Sequence, residues 1–149
     1  MKDMKIAVDR IKEAIEKNEK VMVLGDYDVD GTTSVSLLIS YLSDKITDLK
    51  PYIPDRYSEG YGISDRAIDY ANSEGVNLII ALDCGIKAVE KLKYASSLGI
   101  DFIICDHHMP EEILPNAVAV LDPKRTDCNY PFKDLCGCGI GLSLIHISE

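Results

Sequence analysis

The chain has 149 residues, of which 46% are hydrophobic and 28% are charged. A chain of this length forms one domain, and its composition is globular, which excludes disordered and collagen-like proteins. No apolar run reaches the roughly 18–20 residues that cross a bilayer, and charges interrupt the first twenty residues, where a signal peptide would be apolar. The sequence therefore predicts a soluble, cytoplasmic protein with no membrane partner.

Acidic residues outnumber basic ones by 25 to 16, which gives a formal net charge of -9. This charge opposes attraction to a polyanion, so any contact with nucleic acid has to be local. An excess of carboxylates suits a site that collects divalent cations, and it is equally typical of a surface that keeps a protein soluble. The five cysteines are odd in number and contain no C-x-x-C pair, which argues against a disulfide framework and a zinc knuckle.

Helical and strand patterns alternate along the chain. The first twenty residues place apolar side chains at helical spacing among Lys and Glu, which predicts an amphipathic helix. Short β-branched runs predict buried strands. In chain order the predicted strands are 21–25, 49–55, 77–82, 101–105 and 116–122.

Charged segments with helical periodicity separate these runs. The segments 32–45, 64–74 and 87–99 have the length of crossover helices, and Ser64 and either Thr32 or Thr33 are available as N-caps. Alternation of strand and helix predicts an α/β fold with a mostly parallel sheet, helices on both faces and right-handed crossovers.

Polar residues follow each of the three strongest strands. They are Asp26, Asp28 and Asp30 after the first, Asp83 after the second, and Asp106, His107 and His108 after the third. Ligands of open parallel sheets bind outside the carboxyl ends of the strands. We therefore expect these side chains to meet at one edge of the sheet.

Several interpretations of this cluster are open. A single Asp after a strand commonly caps the next helix. Ion pairs with Arg56, Arg66 or Lys87 would neutralise the acids without a ligand. Converging carboxylates repel one another, however, and burying one unpaired charge costs several kcal/mol. Asp and His together suit Mn²⁺, Mg²⁺ or Zn²⁺, so we favour a metal site.

The spacing of these residues bears on which metal they would bind and on the role of each histidine. Asp26, Asp28 and Asp30 precede Gly31 as in a calcium loop, but the Glu that such a loop needs would fall at Leu37. His107 and His108 are adjacent, so one ring can bind a metal while the other faces a substrate. Asp106 could orient one of these rings as a hydrogen-bond acceptor.

Other classes of enzyme fit less well. There is no G-x-S-x-G elbow for a serine hydrolase, and no G-x-G-x-x-G follows the first strand. Gly137, Gly139 and Gly141 are interpreted as a tight turn before a last helix. A cysteine nucleophile is disfavoured because Cys84 and Cys105 lie beside acids that raise a thiol pKa.

Four motifs together resemble a known family. They are DYDVDG at 26–31, DCG at 83–85, DHH at 106–108 and YPFK at 130–133. The chain resembles the DHH phosphoesterases, and among them the RecJ-type single-strand-specific exonucleases, over roughly residues 20–142. The resemblance includes the segment YIPDRYSEGYG at 52–62.

The resemblance implies a parallel α/β domain with two Mn²⁺ or Mg²⁺ ions. It implies that Asp26 and Asp28 bind the first ion, that Asp30 and His107 bind the second, and that Asp83 bridges both. Paired ions suit phosphodiester hydrolysis, in which negative charge accumulates.

Further roles follow from the same resemblance. His108 would face the scissile phosphate, so that it joins Asp83 and His107 as the implied catalytic residues. We expect Arg56 to contact a phosphate and Tyr61 to contact a base, because Arg binds phosphate in a fork and an exposed aromatic ring offers a stacking face. The alternative for these two residues is a surface loop without a binding role.

By resemblance, the protein removes nucleotides from the 5′ end of single-stranded DNA in DNA repair and recombination, with single-strand-binding protein or a helicase as partner. One alternative is a phosphoesterase for short oligonucleotides or small nucleotide phosphoesters. Another is a non-catalytic binding relative, which the intact acids disfavour.

The chain departs from the family pattern at its end. RecJ-type proteins have a further metal-binding Asp and a second, substrate-binding domain, and this sequence shows neither. Residues 143–149 resemble translated sequencing-adapter text. We therefore expect an incomplete DHH metal-binding catalytic domain at 1–142 that binds metal weakly, and a non-native tail at 143–149 in which His146 is no ligand.

Overall fold

Five strands form one parallel sheet in the computed structural model, which describes residues 1–148. The strands are β1 (Val21–Gly25), β2 (Leu49–Tyr52), β3 (Leu78–Leu82), β4 (Asp101–Cys105) and β5 (Ala119–Leu121). Their order across the sheet is β2-β1-β3-β4-β5, and every neighbouring pair is parallel. The predicted α/β fold with a parallel sheet is confirmed.

Five helices cover the two faces of the sheet. They are α1 (Met4–Glu16), α2 (Val29–Leu42), α3 (Asp65–Ser73), α4 (Val89–Ser97) and α5 (Gly137–Ser148). Helices α1, α2 and α5 pack on one face and α3 and α4 on the other, each around its own apolar core. Successive strand residues point to opposite faces, so Leu78 enters the first core and Ile79 the second. No helix of this part of the chain is long and apolar enough to span a bilayer.

The N-cap predictions were half right. Ser64 caps α3, since its Oγ accepts a hydrogen bond from the Ala67 N–H at 3.0 Å. The prediction of Thr32 or Thr33 for α2 was wrong, because Asp28 caps that helix and accepts from the Gly31 N–H at 2.8 Å. The helix therefore begins at Val29, within the polar segment that follows β1, and both threonines lie inside it.

The glycines near the end of the chain lie inside a helix. Gly137, Gly139 and Gly141 belong to α5, which corrects the prediction of a tight turn before it. A Cβ atom at Gly139 would lie 2.5 Å from Leu135 Cδ1, so close packing explains this glycine better than turn geometry does. Helix α5 continues through Ser148, with Leu144 buried in the first core, and Glu149 lies outside the described residues.

The topology gathers the polar strand ends. Strand β1 lies between β2 and β3, so the chain moves to one side of β1 and later continues on the other. This reversal is the topological switch point at which open α/β sheets bind ligands. The predicted polar segments follow β1, β3 and β4, which are three adjacent strands.

Asp122, which follows β5, is a fully buried acid. Its Oδ1 accepts a hydrogen bond from the Lys124 N–H at 2.7 Å, whereas its Oδ2 has no hydrogen-bond partner among the described residues. Burial disfavours the charged form and raises the pKa of Asp122 from 3.8 to about 6. The unfolded chain therefore ionises this group more readily than the folded one, and stability is lost as the pH rises through this interval.

We predict that Asp122→Asn stabilises the protein at pH 7.5, by on the order of 1–3 kcal/mol, and has little effect near pH 4. The difference in the free energy of unfolding grows between these pH values, because only the wild type has a buried carboxyl group that ionises. Thermal unfolding at both pH values measures it, with exposed Asp44→Asn as the matched control. An equal effect of Asp122→Asn at both pH values would contradict the prediction.

Candidate metal centre

The segment after β1 folds back closely on itself. Asp26 is buried, and Asp30 lies in the first turn of α2. A Cβ atom at Gly31 would lie 2.4 Å from the carbonyl oxygen of Asp26, so only glycine permits this approach. A Cβ atom at Gly25 would lie 2.8 Å from the Gly31 carbonyl oxygen. These two glycines let the chain place three acids within one turn after the strand.

Asp83 is the buried acid that follows β3. Its φ of 62° is left-handed, a conformation that Asp tolerates better than most residues but that still costs about 1–3 kcal/mol. Its N–H donates to the Cys105 carbonyl at 2.8 Å and ties the turn to β4. Burial, followed by repulsion from Asp30 and Asp28, raises the pKa of Asp83 to about 8. The site therefore disfavours the ionised form of this acid when no cation is present.

Asp106 organises the turn after β4. Its buried carboxylate accepts hydrogen bonds from the N–H groups of Ile86, His107 and His108, at 2.9, 2.7 and 3.2 Å respectively. The same carboxylate lies 2.7 Å from His108 Nδ1, so one ring nitrogen of that histidine is engaged. Asp106 thus holds the His108 ring while the backbone N–H groups satisfy its charge.

His107 faces the acids of the other strand ends. Its Nε2 lies 3.0 Å from Asp83 Oδ1 and 3.8 Å from Asp30 Oδ2. Asp83, His107 and His108 each offer one ligand atom, and these atoms lie within 4.8 Å of one another. Side chains that follow β1, β3 and β4 therefore meet in one cluster.

Helix α5 adds a contribution that the sequence analysis missed. The N–H groups of Gly137 and Cys138 donate to the Asp30 carboxylate at 2.8 and 2.7 Å. A Cβ atom at Gly137 would lie 2.7 Å from Asp83 Oδ1, so glycine is required where the helix meets the cluster. The Gly-Cys-Gly spacing at 137–139 carried this signal, but a pattern of glycines does not reveal which side chain it approaches.

The ion-pair interpretation of the cluster was wrong. No Lys or Arg side chain in the described part of the chain forms an ion pair with the carboxylates of the cluster, Asp26, Asp28, Asp30, Asp83 and Asp106. Of the cations considered, Arg66 donates to Ser58 Oγ instead. The negative charge of the cluster is therefore left without a cationic side chain.

The donor set fits a divalent cation. Within the described residues, Oδ1 of Asp26 and Oδ1 of Asp83 are buried and accept no hydrogen bond, although His107 Nε2 lies 3.0 Å from Asp83 Oδ1. Burial and the neighbouring Asp28 also raise the pKa of Asp26. Unpaired buried carboxylate oxygens beside an imidazole nitrogen are ligands that Mn²⁺ and Mg²⁺ accept, and a bound cation would remove the cost of burying these charges.

Of the two predicted substrate contacts, Tyr61 touches the cluster and Arg56 does not. The Tyr61 hydroxyl lies 3.4 Å from the His108 ring nitrogens and 3.3 Å from the Asp83 carbonyl oxygen, so Tyr61 borders the cluster. Arg56 lies over the ring of Tyr27, with 5.4 Å between its Cζ and the ring centroid. Tyr27 lies between Asp26 and Asp28 in the segment after β1, so Arg56 lies near this segment and forms no ion pair with the carboxylates of the cluster among the described residues.

The cysteine-nucleophile alternative finds no support in this geometry. Cys84 and Cys105 are fully buried. Burial, and then repulsion from Asp106, raises the pKa of both thiols. A buried neutral thiol is a poor nucleophile.

Comparison with known proteins identifies relatives of this site. The chain is 47% identical over 146 residues to the single-stranded-DNA-specific exonuclease RecJ of Bacillus subtilis, which covers 98% of this chain and 19% of the relative. It is 36% identical over 140 residues to RecJ of Escherichia coli, which covers 93% of this chain and 24% of that relative. The chain thus spans about a fifth to a quarter of the length of these curated relatives.

Solved structures agree with these relatives. A crystal structure of exonuclease RecJ bound to manganese superimposes with a TM-score of 0.88 at 30% identity, covering 97% of this chain and 37% of that one. RecJ in complex with Mn²⁺ from Thermus thermophilus gives a TM-score of 0.80 at 26% identity, covering 97% of this chain and 20% of that one.

The family assignment rests on a match over most of the chain. The family model for the DHH family, N-terminal domain, matches residues 20–149. This range includes every strand of the sheet and all the polar segments of the cluster. The resemblance found in the four motifs is confirmed, and the chain belongs to the DHH family, of which it carries the N-terminal domain.

Proposed function

We propose that this chain is the metal-binding catalytic part of a phosphodiesterase that removes nucleotides from the 5′ end of single-stranded DNA. The observation that carries the proposal is the cluster of carboxylates and imidazoles at the ends of β1, β3 and β4, with no cationic side chain paired to it among the described residues. The relatives named as single-stranded-DNA-specific exonucleases support the choice of substrate.

Two Mn²⁺ or Mg²⁺ ions are the cofactors of this proposal. Asp26 and Asp28 would hold one ion, Asp30 and His107 the other, and Asp83 both. When bound, such ions supply Lewis acidity and neutralise the charge that builds up on a phosphate during hydrolysis. The two related structures that contain manganese support this choice of metal.

His108 is suited to contact the phosphate. Asp106 engages its Nδ1 at 2.7 Å, which fixes the ring and leaves Nε2 as the atom that can exchange a proton with a substrate oxygen. The rings of Tyr61 and His108 meet edge to face, with centroids 5.9 Å apart, so Tyr61 limits the rotation of the histidine ring. Asp106 and Tyr61 therefore act as positioning residues for His108.

Arg56 and Tyr61 complete the proposed contacts to the strand. The guanidinium of Arg56 is held over Tyr27 and retains donors for a phosphate of the backbone. Tyr61 is 57% exposed, so one face of its ring is free to stack on a base.

The proposal extends to the cellular setting. A single-strand exonuclease needs an exposed strand, which a helicase produces and single-strand-binding protein covers. We therefore propose these as partners, in DNA repair and recombination in the cytoplasm. The catalytic domain in this setting would comprise residues 1–142.

We predict that Asp83→Asn has opposite effects with and without metal. Without metal at neutral pH the variant is more stable than the wild type, by at least about 1 kcal/mol, because the folded wild type must hold a proton on Asp83 that the unfolded chain releases. With Mn²⁺ the wild type gains stability and the variant does not. Thermal unfolding with EDTA and with MnCl₂ tests both statements, and Asp44→Asn should behave as the wild type in both. A variant that Mn²⁺ still stabilises would remove Asp83 from the proposed ligands.

A second prediction concerns the helix that meets the cluster. Gly137→Ala should weaken Mn²⁺ binding about tenfold or more, because the new Cβ would displace the Asp83 carboxylate. Gly141→Ala is the matched control in the same helix, since its Cβ would lie 3.5 Å from Leu82 Cδ2, an ordinary contact. Calorimetric titration with Mn²⁺ measures both affinities. Equal affinities would show that α5 does not shape the ligand set.

The activity is tested in a chain of the relatives' length. In a hybrid protein, this chain replaces the matching 146 residues of the Bacillus subtilis relative. We predict that the hybrid releases mononucleotides from a single strand in the presence of Mn²⁺. Release should begin at the 5′ end and fall by at least about 10³-fold in Asp83→Asn. Substrates of graded length separate the alternatives, because a preference for two- to five-nucleotide oligomers would favour the short-oligonucleotide phosphoesterase. A hybrid that folds and binds Mn²⁺ but releases nothing would contradict the exonuclease assignment.

A further inference from the structure

A cavity of about 380 Å³ adjoins the metal centre on the side of the turn that follows β4, residues 106–108. Its volume lies within the roughly 300–1,000 Å³ of small-molecule sites. Its wall toward the metal centre consists of Tyr61, Asp106 and His108. His108, the proposed contact to the scissile phosphate, therefore lies between the metal centre and this cavity.

The remaining walls are apolar or lack a side chain. Ile63, Ile86 and Ala88 line the cavity together with Gly62 and Gly85. Both glycines have positive φ angles, 79° and 108°, which other residues rarely adopt. A Cβ atom at Gly85 would lie 2.7 Å from Ile104 Cδ1, so glycine is required where this turn packs on the apolar core. The cavity offers apolar surface that a planar ring can contact.

Two backbone donors of these walls are already used. The Ile86 N–H donates to Asp106 and the Ala88 N–H to the Gly85 carbonyl oxygen. These two groups are not available to the edge of a base, so the contacts of these walls with a base that enters the cavity are mainly apolar.

Two lysines line the cavity in a protein whose net charge is -9. Lys91 is paired with Asp65 at 2.6 Å. Lys87 is exposed, and its Nζ has no ion pair or hydrogen bond in the part of the chain that the structure describes. The Asp106 carboxylate is the only acid of the lining, and four hydrogen-bond donors surround it. Lys87 is therefore a cation available to an anionic ligand.

We propose that this cavity binds one nucleotide of the substrate strand, with its base against Ile63, Ile86 and Ala88 and its phosphate at Lys87. This inference rests on the proposed function and adds a subsite to it. We expect the subsite to accept different bases, because the walls that meet the ring are mainly apolar and the N–H groups of Ile86 and Ala88 are already bonded. Such tolerance is what an enzyme needs when it degrades a strand of any sequence.

The test uses the chain as it stands and mononucleotides as probes. Deoxyadenosine 5′-monophosphate and thymidine 5′-monophosphate are titrated into ¹⁵N-labelled protein, once with EDTA and once with MgCl₂. We expect both nucleotides to shift the amide signals of Ile63, Ile86 and Ala88 in both buffers, with affinities that agree within about tenfold and lie near the millimolar range. Uncharged deoxyadenosine should bind more weakly than its phosphate.

Two variants probe the two halves of the subsite. Lys87→Ala should weaken binding of the nucleotides about tenfold and leave binding of deoxyadenosine unchanged. Ala88→Leu should fill the cavity and weaken binding of all three probes. Lys93→Ala is the matched control, because Lys93 lies on α4, pairs with Glu90 and does not line the cavity. Thermal unfolding verifies that each variant is folded.

The outcomes separate this inference from the proposed function. Signal shifts confined to residues 26–30 and 106–108, or wild-type affinity in both Lys87→Ala and Ala88→Leu, would overturn the nucleotide subsite. Retained binding in EDTA by a hybrid that releases no nucleotides would overturn the exonuclease proposal and leave the subsite intact. A difference above about a hundredfold between the two nucleotides would contradict the absence of base discrimination.

Discussion

Repulsion among carboxylates at one edge of the sheet is the constraint on which the rest of this structure depends. The strand order makes β1, β3 and β4 neighbours, so the acids that follow them meet at the switch point. Asp83 shows the consequence, since burial and the surrounding acids raise its pKa to about 8. A fold does not keep such a cluster without a compensating cation, because an unpaired buried charge costs several kcal/mol. The site is thus built for a charge that the side chains do not supply.

Part of that compensation comes from the backbone. Asp28 caps α2, and the first N–H groups of α5 donate to Asp30, so two helix N-termini point at the cluster. Each N-terminus carries a partial positive charge of roughly half a unit. Two such partial charges offset a fraction of the negative charge of Asp26, Asp28, Asp30 and Asp83. The helices therefore make the cluster tolerable and leave most of its charge for a bound ion.

The sequence was sufficient for the features that depend on local patterns. The runs at 21–25 and 101–105 coincide with β1 and β4, because a strand buried on both faces is apolar throughout. Acids that directly follow such runs could be assigned to one edge of the sheet. The contact of α5 with Asp30 and the stacking of Arg56 on Tyr27 could not be predicted, because they join segments whose relative placement depends on packing. The glycines of α5 were misplaced for the same reason: a Gly-rich pattern fits a turn and a close helix contact equally well.

The net charge of -9 also bears on how such a protein could hold a polyanion. Proteins that coat nucleic acid bind it through many Lys and Arg contacts, and their affinity falls steeply with salt. Here the candidate contacts to phosphate are few, with Arg56 beside the cluster and Lys87 at the adjoining cavity. On the proposed function, each would add about one unit to the salt dependence of binding. The larger part of the attraction would then come from divalent cations at the cluster, so that binding of the strand and assembly of the catalytic site depend on the same ions.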